Sequence, residues 1–218
     1  MKKSSYIPLT ANTGKENALA DFLKGGAAIV HETEPGTRIW TALQTADKKS
    51  SIIFDTFTDE AAQGAHFDGL VAKALYENAS DLVAGGWDTG VIPNISNSDI
   101  LGSKVTADPT ASKVAIFIPL TAKAGMEVEL ANLLTAGADI VADTEPLTLY
   151  WFGLHFGENK FGIIDFFEGE DGVNAHFGGK VAAALKDAAD DLVEGGWDAG
   201  VVARVQQLNV LAFVQQQD

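Results

Sequence analysis

Cysteine is absent from the 218 residues, which excludes disulfides, thiolate nucleophiles and thiolate metal sites together. Basic side chains are scarce. Fifteen Lys and Arg against thirty Asp and Glu leave a formal charge of −15, which repels phosphate backbones and anionic lipid, so neither nucleic acid nor a membrane surface is expected as a partner. No apolar run approaches the roughly eighteen residues of a membrane span. Met1 to Ser5 carries two lysines and then runs into a strand-like segment, without the apolar stretch and small-residue cleavage site of a signal peptide, so the expected location is the cytoplasm. Metal motifs are missing too: His31 in HETE lacks the second histidine of HExxH, and the acidic EGED at Glu168 does not fit a calcium loop. A phosphate-binding glycine loop and a nucleophile elbow are also lacking, which argues against nucleotide and hydrolase chemistry. The expected cofactor is none.

What the sequence does contain is a repeat. IPLTANTG from Ile7 recurs as IPLTAKAG from Ile118, an offset of 118 − 7 = 111, and TEPGTRIW from Thr33 recurs as TEPLTLYW from Thr144 with the same offset. AHF at Ala65 and LVAGGWDTGV at Leu82 recur at Ala175 and Leu192, now offset by 175 − 65 = 110. The lost residue falls between Trp40 and Asp55, in the polar stretch Asp47–Ser51 that reads as a hairpin loop, where a length change costs little. The polar stretch from Ser96 to Ser112 reads as a link, giving two repeats, 1–105 and 106–218.

Each copy has one order of elements. In the first, Tyr6–Thr10 is a short strand and Lys15–His31 carries apolar residues at helical spacing. Strands at Thr37–Thr45 and Ser51–Thr58 follow. A second helical region then starts at Thr58 and Asp59, holds Leu70, Val71, Ala74, Leu75 and Leu82 on its apolar side, and ends at Gly85 and Gly86. Val91–Ile95 is expected to close the unit as a last strand. The result is βαββαβ, a ferredoxin-like α+β unit with both helices on one face of an antiparallel sheet.

The other face cannot be wet. IFIPL at Ile116, LYWFGL at Leu149 and IIDFF at Ile163 are almost continuously apolar, as in strands buried on both sides. The economical cover is the sheet of the other copy, packed face to face about 10 Å away. Two tandem repeats would then form an intramolecular pseudo-dimer, a closed α/β barrel, with further pairing of two such barrels left open. The pieces Asp99–Leu101 and Asn209–Val214, at matching positions after the last strands, are expected to cross and brace the partner sheet.

This pattern resembles the antibiotic biosynthesis monooxygenase family of the dimeric α/β barrel superfamily, twice over nearly the whole chain. The resemblance rests on Glu34, Pro35 and Gly36 before the second strand, and on an acidic residue followed eleven positions later by histidine, Asp55 with His66 and Asp165 with His176 (66 − 55 = 11; 176 − 165 = 11). The family usually has Glu where the aspartates stand and Trp or Tyr at Phe57 and Phe167, and Leu147 replaces the turn glycine in the second copy. What the resemblance implies is oxygenation of a small aromatic or quinol-type substrate without metal or flavin; other members degrade haem or have no known activity. Fold alone does not choose among these.

Asp55 alternates with Ile53 and Phe57, so it points to one face of a central strand, where a carboxylate is costly unless paired. His66 could return beside it, forming a carboxylate–imidazole pair able to orient a substrate hydroxyl or take its proton, and Asp165 with His176 would repeat it. The favoured reading of the same pairs is as structural bonds tying strand to helix. Trp40 and Trp151, with Tyr150, Phe57 and Phe167, could line a cavity for a small apolar or aromatic molecule, or could simply be core. His155 and His31 have no histidine counterpart in the other copy; His155 would add a titratable group to the second site. A non-catalytic small-ligand or stress-response module and a haem-binding protein are the alternative readings.

Overall fold

The computed structural model describes residues 1–106 and 108–216; residue 107 of the expected link and the last two residues of the second repeat lie outside it. The first copy runs β1 (Lys3–Thr10), α1 (Glu16–Thr33), β2 (Thr37–Thr45), β3 (Ser50–Phe57), α2 (Glu60–Phe67), α3 (Leu70–Leu82) and β4 (Ser96–Lys104). The second repeats this as β5 (Val114–Thr121), α4 (Glu127–Thr144), β6 (Thr148–Gly157), β7 (Lys160–Phe167), α5 (Glu170–Phe177), α6 (Lys180–Leu192) and β8 (Gln206–Gln215). The hydrogen-bonded strand order, β1-β3-β2-β8-β5-β7-β6-β4, closes on itself as a barrel. This is the α+β architecture of duplicated ferredoxin-like repeats that the sequence implies.

Two features differ from the sequence expectation. Val91–Ile95 is not a strand: Gly86–Val91 winds as a π-helical turn and Ile92–Asn94 as a 3₁₀ turn. Gly85 and Gly86, at φ +85° and +61°, start that winding, and Pro93 sits inside the 3₁₀ turn where it needs no N–H. The last strand lies instead in what reads as linker, Ser96–Lys104. The second helical region is two helices, broken at Asp68 and Gly69, and Leu70, expected on its apolar side, is 57% exposed at the new N-terminus.

The compact units exchange their last strands. One comprises Met1–Asn97 with the chain from Asn209 onward, the other Ser98–Leu208. In the second unit β4 pairs antiparallel with β6, Asp99 opposite His155 and Lys104 opposite Trp151. In the first, Leu211 and Ala212 of β8 pack on the core and the Gln216 amide donates to the Arg38 carbonyl at 2.9 Å. Each core lies between sheet and helices: Ile7, Leu9, Trp40 and Ile53 meet Leu19, Leu23, Val30, Val71 and Leu75 in the first, with Ile118, Leu120, Trp151 and Ile163 meeting Leu130, Leu134, Val141, Val181 and Leu185 in the second. Alternate residues on the opposite face, Ile52, Phe54, Ile164 and Phe166, are buried as well, so the central strands are dry on both sides. Among the described residues no helix is long and apolar enough to cross a membrane.

Candidate functional site

Chain geometry brings a carboxylate, an imidazole and a second carboxylate together in each unit. α1 ends where Glu34 N–H donates to the Val30 carbonyl at 3.0 Å, and the following Pro35 cannot continue the helix. Glu34 is thereby turned inward and is only 9% exposed. Asp55 comes from β3, fully buried on the helix-facing side with Ile53. Asp59 caps α2, its Oδ1 accepting from Ala62 N–H at 2.9 Å, and the helix ends one residue after His66. Gly69 leaves room for the glutamate, since a Cβ there would lie 2.7 Å from Glu34 Oε1; at Gly179 it would lie 2.5 Å from Glu145 Oε1.

His66 Nδ1 is 2.5 Å from Glu34 Oε2 and its Nε2 is 3.2 Å from Asp55 Oδ2. In the second unit His176 Nδ1 is 2.6 Å from Glu145 Oε2 and Nε2 is 2.9 Å from Asp165 Oδ2. Thr37 and Thr148 hydroxyls donate to the same glutamate oxygens, at 3.0 and 3.2 Å. The Nε2–aspartate contacts are ion pairs, and among the described residues no other side chain donates to either oxygen of Asp55 or Asp165.

Charge follows from this geometry. Burial favours neutral imidazole, but two carboxylates per ring outweigh it, and His66 is pushed up to about 9 and His176 to about 10. Both are imidazolium at neutral pH. Burial raises Asp165 above the usual carboxylate range despite the His176 charge, whereas Glu145 is held below it, its own burial overcome by the His176 hydrogen bond and charge. A histidine already protonated and engaged at both nitrogens is a poor proton acceptor; the free acceptor lone pairs in the cluster are on the carboxylates.

Beside His66 of the first cluster lies an apolar cavity of about 30 Å³, lined among others by Ile7, Gly26, Trp40, Ile53 and Val71. Half-buried Phe22, Phe67, Ala72, Trp87 and Ile95 form its outer part. That volume holds a water or two rather than an aromatic ring, so ring-sized ligands require the outer side chains to move. On the outer side of Glu34 and His66, a surface cleft of about 280 Å³ runs past Pro35, Gly36, Ala62 and Gly69.

The residues singled out from sequence fall into two groups. Asp55, His66, Trp40 and Phe57 come together, as do Asp165, His176, Trp151 and Phe167; Phe57 and Phe167 ring centres lie 5.2 and 5.4 Å from the imidazoles. Tyr150 lies on the alternate face of β6, its hydroxyl donating to the Thr106 carbonyl at 3.2 Å. His155 stands at the hairpin end of β6, stacked on Phe161 at 4.5 Å with Nε2 3.0 Å from the Glu158 carbonyl oxygen, apart from the cluster. Glu34 and Glu145 complete the cluster, although in the sequence they stand only as part of a turn; their repetition in TEP at both copies, ahead of a buried strand, is the available signal. The turn difference is matched across the contact: a Cβ on Gly36 would meet Ala62 Cβ at 2.8 Å, while Leu147 stands at that position opposite Gly172, whose own Cβ would lie 3.1 Å from the Leu147 carbonyl. Among the described residues no group of three His, Asp or Glu is arranged to hold a metal ion.

No family model and no curated protein sequence matches the chain. Solved structures do. A candidate monooxygenase from Fusobacterium nucleatum is similar with a TM-score of 0.82 at 15% identity, over 99% of this chain and 94% of its own. An anthrone oxidase-like protein is similar with a TM-score of 0.62 at 12% identity, over 100% and 94%. A ferredoxin-fold protein from Listeria monocytogenes, related to antibiotic biosynthesis monooxygenases, is similar with a TM-score of 0.53 at 10% identity, over 96% and 95%. The chain therefore shares its fold with these proteins, ferredoxin-like repeats duplicated in tandem.

Proposed function

We propose that the protein is a cofactor-independent monooxygenase acting on a small aromatic or quinol-type substrate, with Asp55 and Asp165, rather than the histidines, taking the substrate proton. The observation that carries this is the buried Glu–His–Asp cluster, repeated in both units and in the first set against an apolar cavity walled by Trp40 and His66. An aromatic hydroxyl brought to the aspartate loses its proton to Oδ1, the carboxylate oxygen that does not face the imidazole, and its electron pair stays on the ring oxygen. The adjacent imidazolium offsets the charge gained, in a dry site where that interaction is strong. The electron-rich anion is what reacts with dioxygen: one oxygen atom enters the substrate, the other leaves as water, and the substrate supplies all the electrons. In an anthrone-type ring this converts CH₂ to C=O. The similarity to an anthrone oxidase-like protein supports that substrate class.

Oxygen uptake with a panel of hydroquinones and anthrone-type compounds tests the reading. Wild type should consume oxygen, and Asp55→Asn with Asp165→Asn should lose turnover by about 10²-fold or more while keeping its circular dichroism spectrum. Unchanged turnover in the double variant would remove the aspartates from the chemistry; no uptake by wild type with any member would remove the oxygenase reading.

A second reading is favoured by the small cavity and the doubly engaged histidine: a non-catalytic barrel in which the clusters are staples and the cavity holds a small apolar ligand. Binding without oxygen uptake is its signature. Haem is less favoured, because the cavity is far below porphyrin size and both nitrogens of His66 and His176 face carboxylates; a Soret shift on adding haem would reverse that judgement.

A further inference from the structure

In each unit an indole N–H lacks an acceptor, and an aspartate has the histidine as its one side-chain partner. Trp40 and Trp151 are fully buried, as are Asp55 and Asp165. Neither indole Nε1 has an acceptor, and while Oδ2 of each aspartate faces the imidazole, Oδ1 receives no hydrogen bond. The groups are also register partners: Trp40 opposes Asp55 across β2 and β3, and Trp151 opposes Asp165 across β6 and β7. Side chains directly opposed on antiparallel strands project to the same side with Cβ atoms about 4.5–5.5 Å apart. Here that side faces the helices, where the Trp40 ring edge reaches Gly26 of α1 and that of Trp151 reaches Gly137 of α4. A buried donor or acceptor left unmatched costs about 1–3 kcal/mol, so a donor and an acceptor juxtaposed in both copies point to one shared partner.

We infer that each Trp–Asp pair is a subsite for a hydroxyl group on an aromatic ring, the indole N–H donating to the hydroxyl oxygen and the hydroxyl donating to the aspartate. A hydroxyl both accepts and donates, which the pair requires; a ketone or ether would satisfy only the indole and an ammonium only the carboxylate. Trp40 is shared between the pair and the cavity beside His66, so a ring bearing that hydroxyl would extend toward Phe22, Phe67 and Trp87. For the class of ligand this rests on the proposed function, and it adds Trp40 and Trp151 as the donors that would hold the ring oxygen once its proton has moved to the aspartate.

The test reads the indole N–H signals of the four tryptophans in a ¹H–¹⁵N spectrum, under nitrogen, while phenol or toluene is added to the intact protein. Trp87→Phe and Trp197→Phe, at half-buried positions, identify the outer pair of signals and leave the buried pair by difference. Expected is a saturable shift of the Trp40 and Trp151 signals with phenol and none with toluene, and a phenol affinity about tenfold or more weaker in the Asp55→Asn, Asp165→Asn variant. Equal shifts with phenol and toluene would mean ring packing only, and no shift with phenol would mean that the pair is closed by direct contact or by an internal water; either overturns the inference. Because no turnover is involved, a phenol-specific shift without oxygen uptake would sink the oxygenase reading alone.

Discussion

At the scale of single residues, the charge state of two histidines governs both the stability of the units and the chemistry open to them. A buried imidazolium held between carboxylates is worth little as an ion pair by itself, but removing it strands two buried negative charges. His176→Ala should therefore destabilise the protein by about 3–5 kcal/mol, and adding Asp165→Asn and Glu145→Gln should recover part of that loss; urea denaturation of the single and triple variants checks it. Equal stability of His176→Ala and wild type would show the cluster to be solvated rather than dry. The pH dependence has a defined sign. Both histidines have folded values, about 9 and about 10, above their ordinary 6.5, so their contribution is complete below about pH 6.5 and is lost as pH rises through 9 to 10. Denaturation midpoints should fall across that alkaline window, and replacing His66 and His176 by Gln should flatten it. The aspartate–histidine pairing was legible from an eleven-residue spacing kept in both copies. The glutamates were not, because a Glu before Pro at a helix end reads as an exposed turn; only the chain reversal that drives it inward shows otherwise.

At the scale of elements, the repeated GGWD segment shows why periodicity misled. Val91–Ile95 is short and apolar, a pattern that suits a buried strand as well as any tight turn, and Gly85 and Gly86 ahead of it suit a helix end. Their left-handed dihedrals instead launch a π-helical turn, which packs so closely on the end of α3 that a Cβ on Gly90 would overlap the Ala84 carbonyl oxygen, with Gly200 in the same relation to the Glu194 carbonyl. Trp87 is carried against Tyr76, ring centres 5.3 Å apart, and Trp197 lies under the Lys186 ammonium at 5.9 Å. Gly90→Ala and Gly200→Ala should each cost about 1–3 kcal/mol, whereas Gly64→Ala, which meets nothing within 4 Å on α2, should be neutral or slightly stabilising; thermal melts of the three variants give the comparison. A Gly90→Ala variant as stable as wild type would contradict the close contact. The strands with continuous apolar runs and the long helices were readable because their signals span eight residues or more. β4 was not, since Ser96–Lys104 is polar enough to pass for linker and becomes a strand only through a partner supplied by the other copy.

At the scale of the whole molecule, the duplication read from offsets of 111 and 110 is laid out as two units that do not coincide with the two sequence repeats. Residues 1–105 carry β4, whose Ser98–Lys104 pairs in the other unit, and lack the Asn209–Gln215 strand that completes their own. Expressed alone, this half should therefore self-associate, two copies exchanging β4 in place of the missing strand, while residues 1–97 should fail to fold stably. Size-exclusion chromatography over a concentration series decides it, and a stable folded monomer of 1–105 would mean that the exchange contributes nothing. No periodicity in the sequence marks where an edge strand will dock; the only hint was the matching position of the two short apolar pieces after each repeat.

The exchanged strands also make the connecting peptide dispensable as a tether. Cutting the backbone between Lys104 and Asp108 would leave two fragments dovetailed, each gripping the sheet edge of the other, so a nicked protein should migrate intact on a native gel and separate into halves only once denaturant loosens the grip.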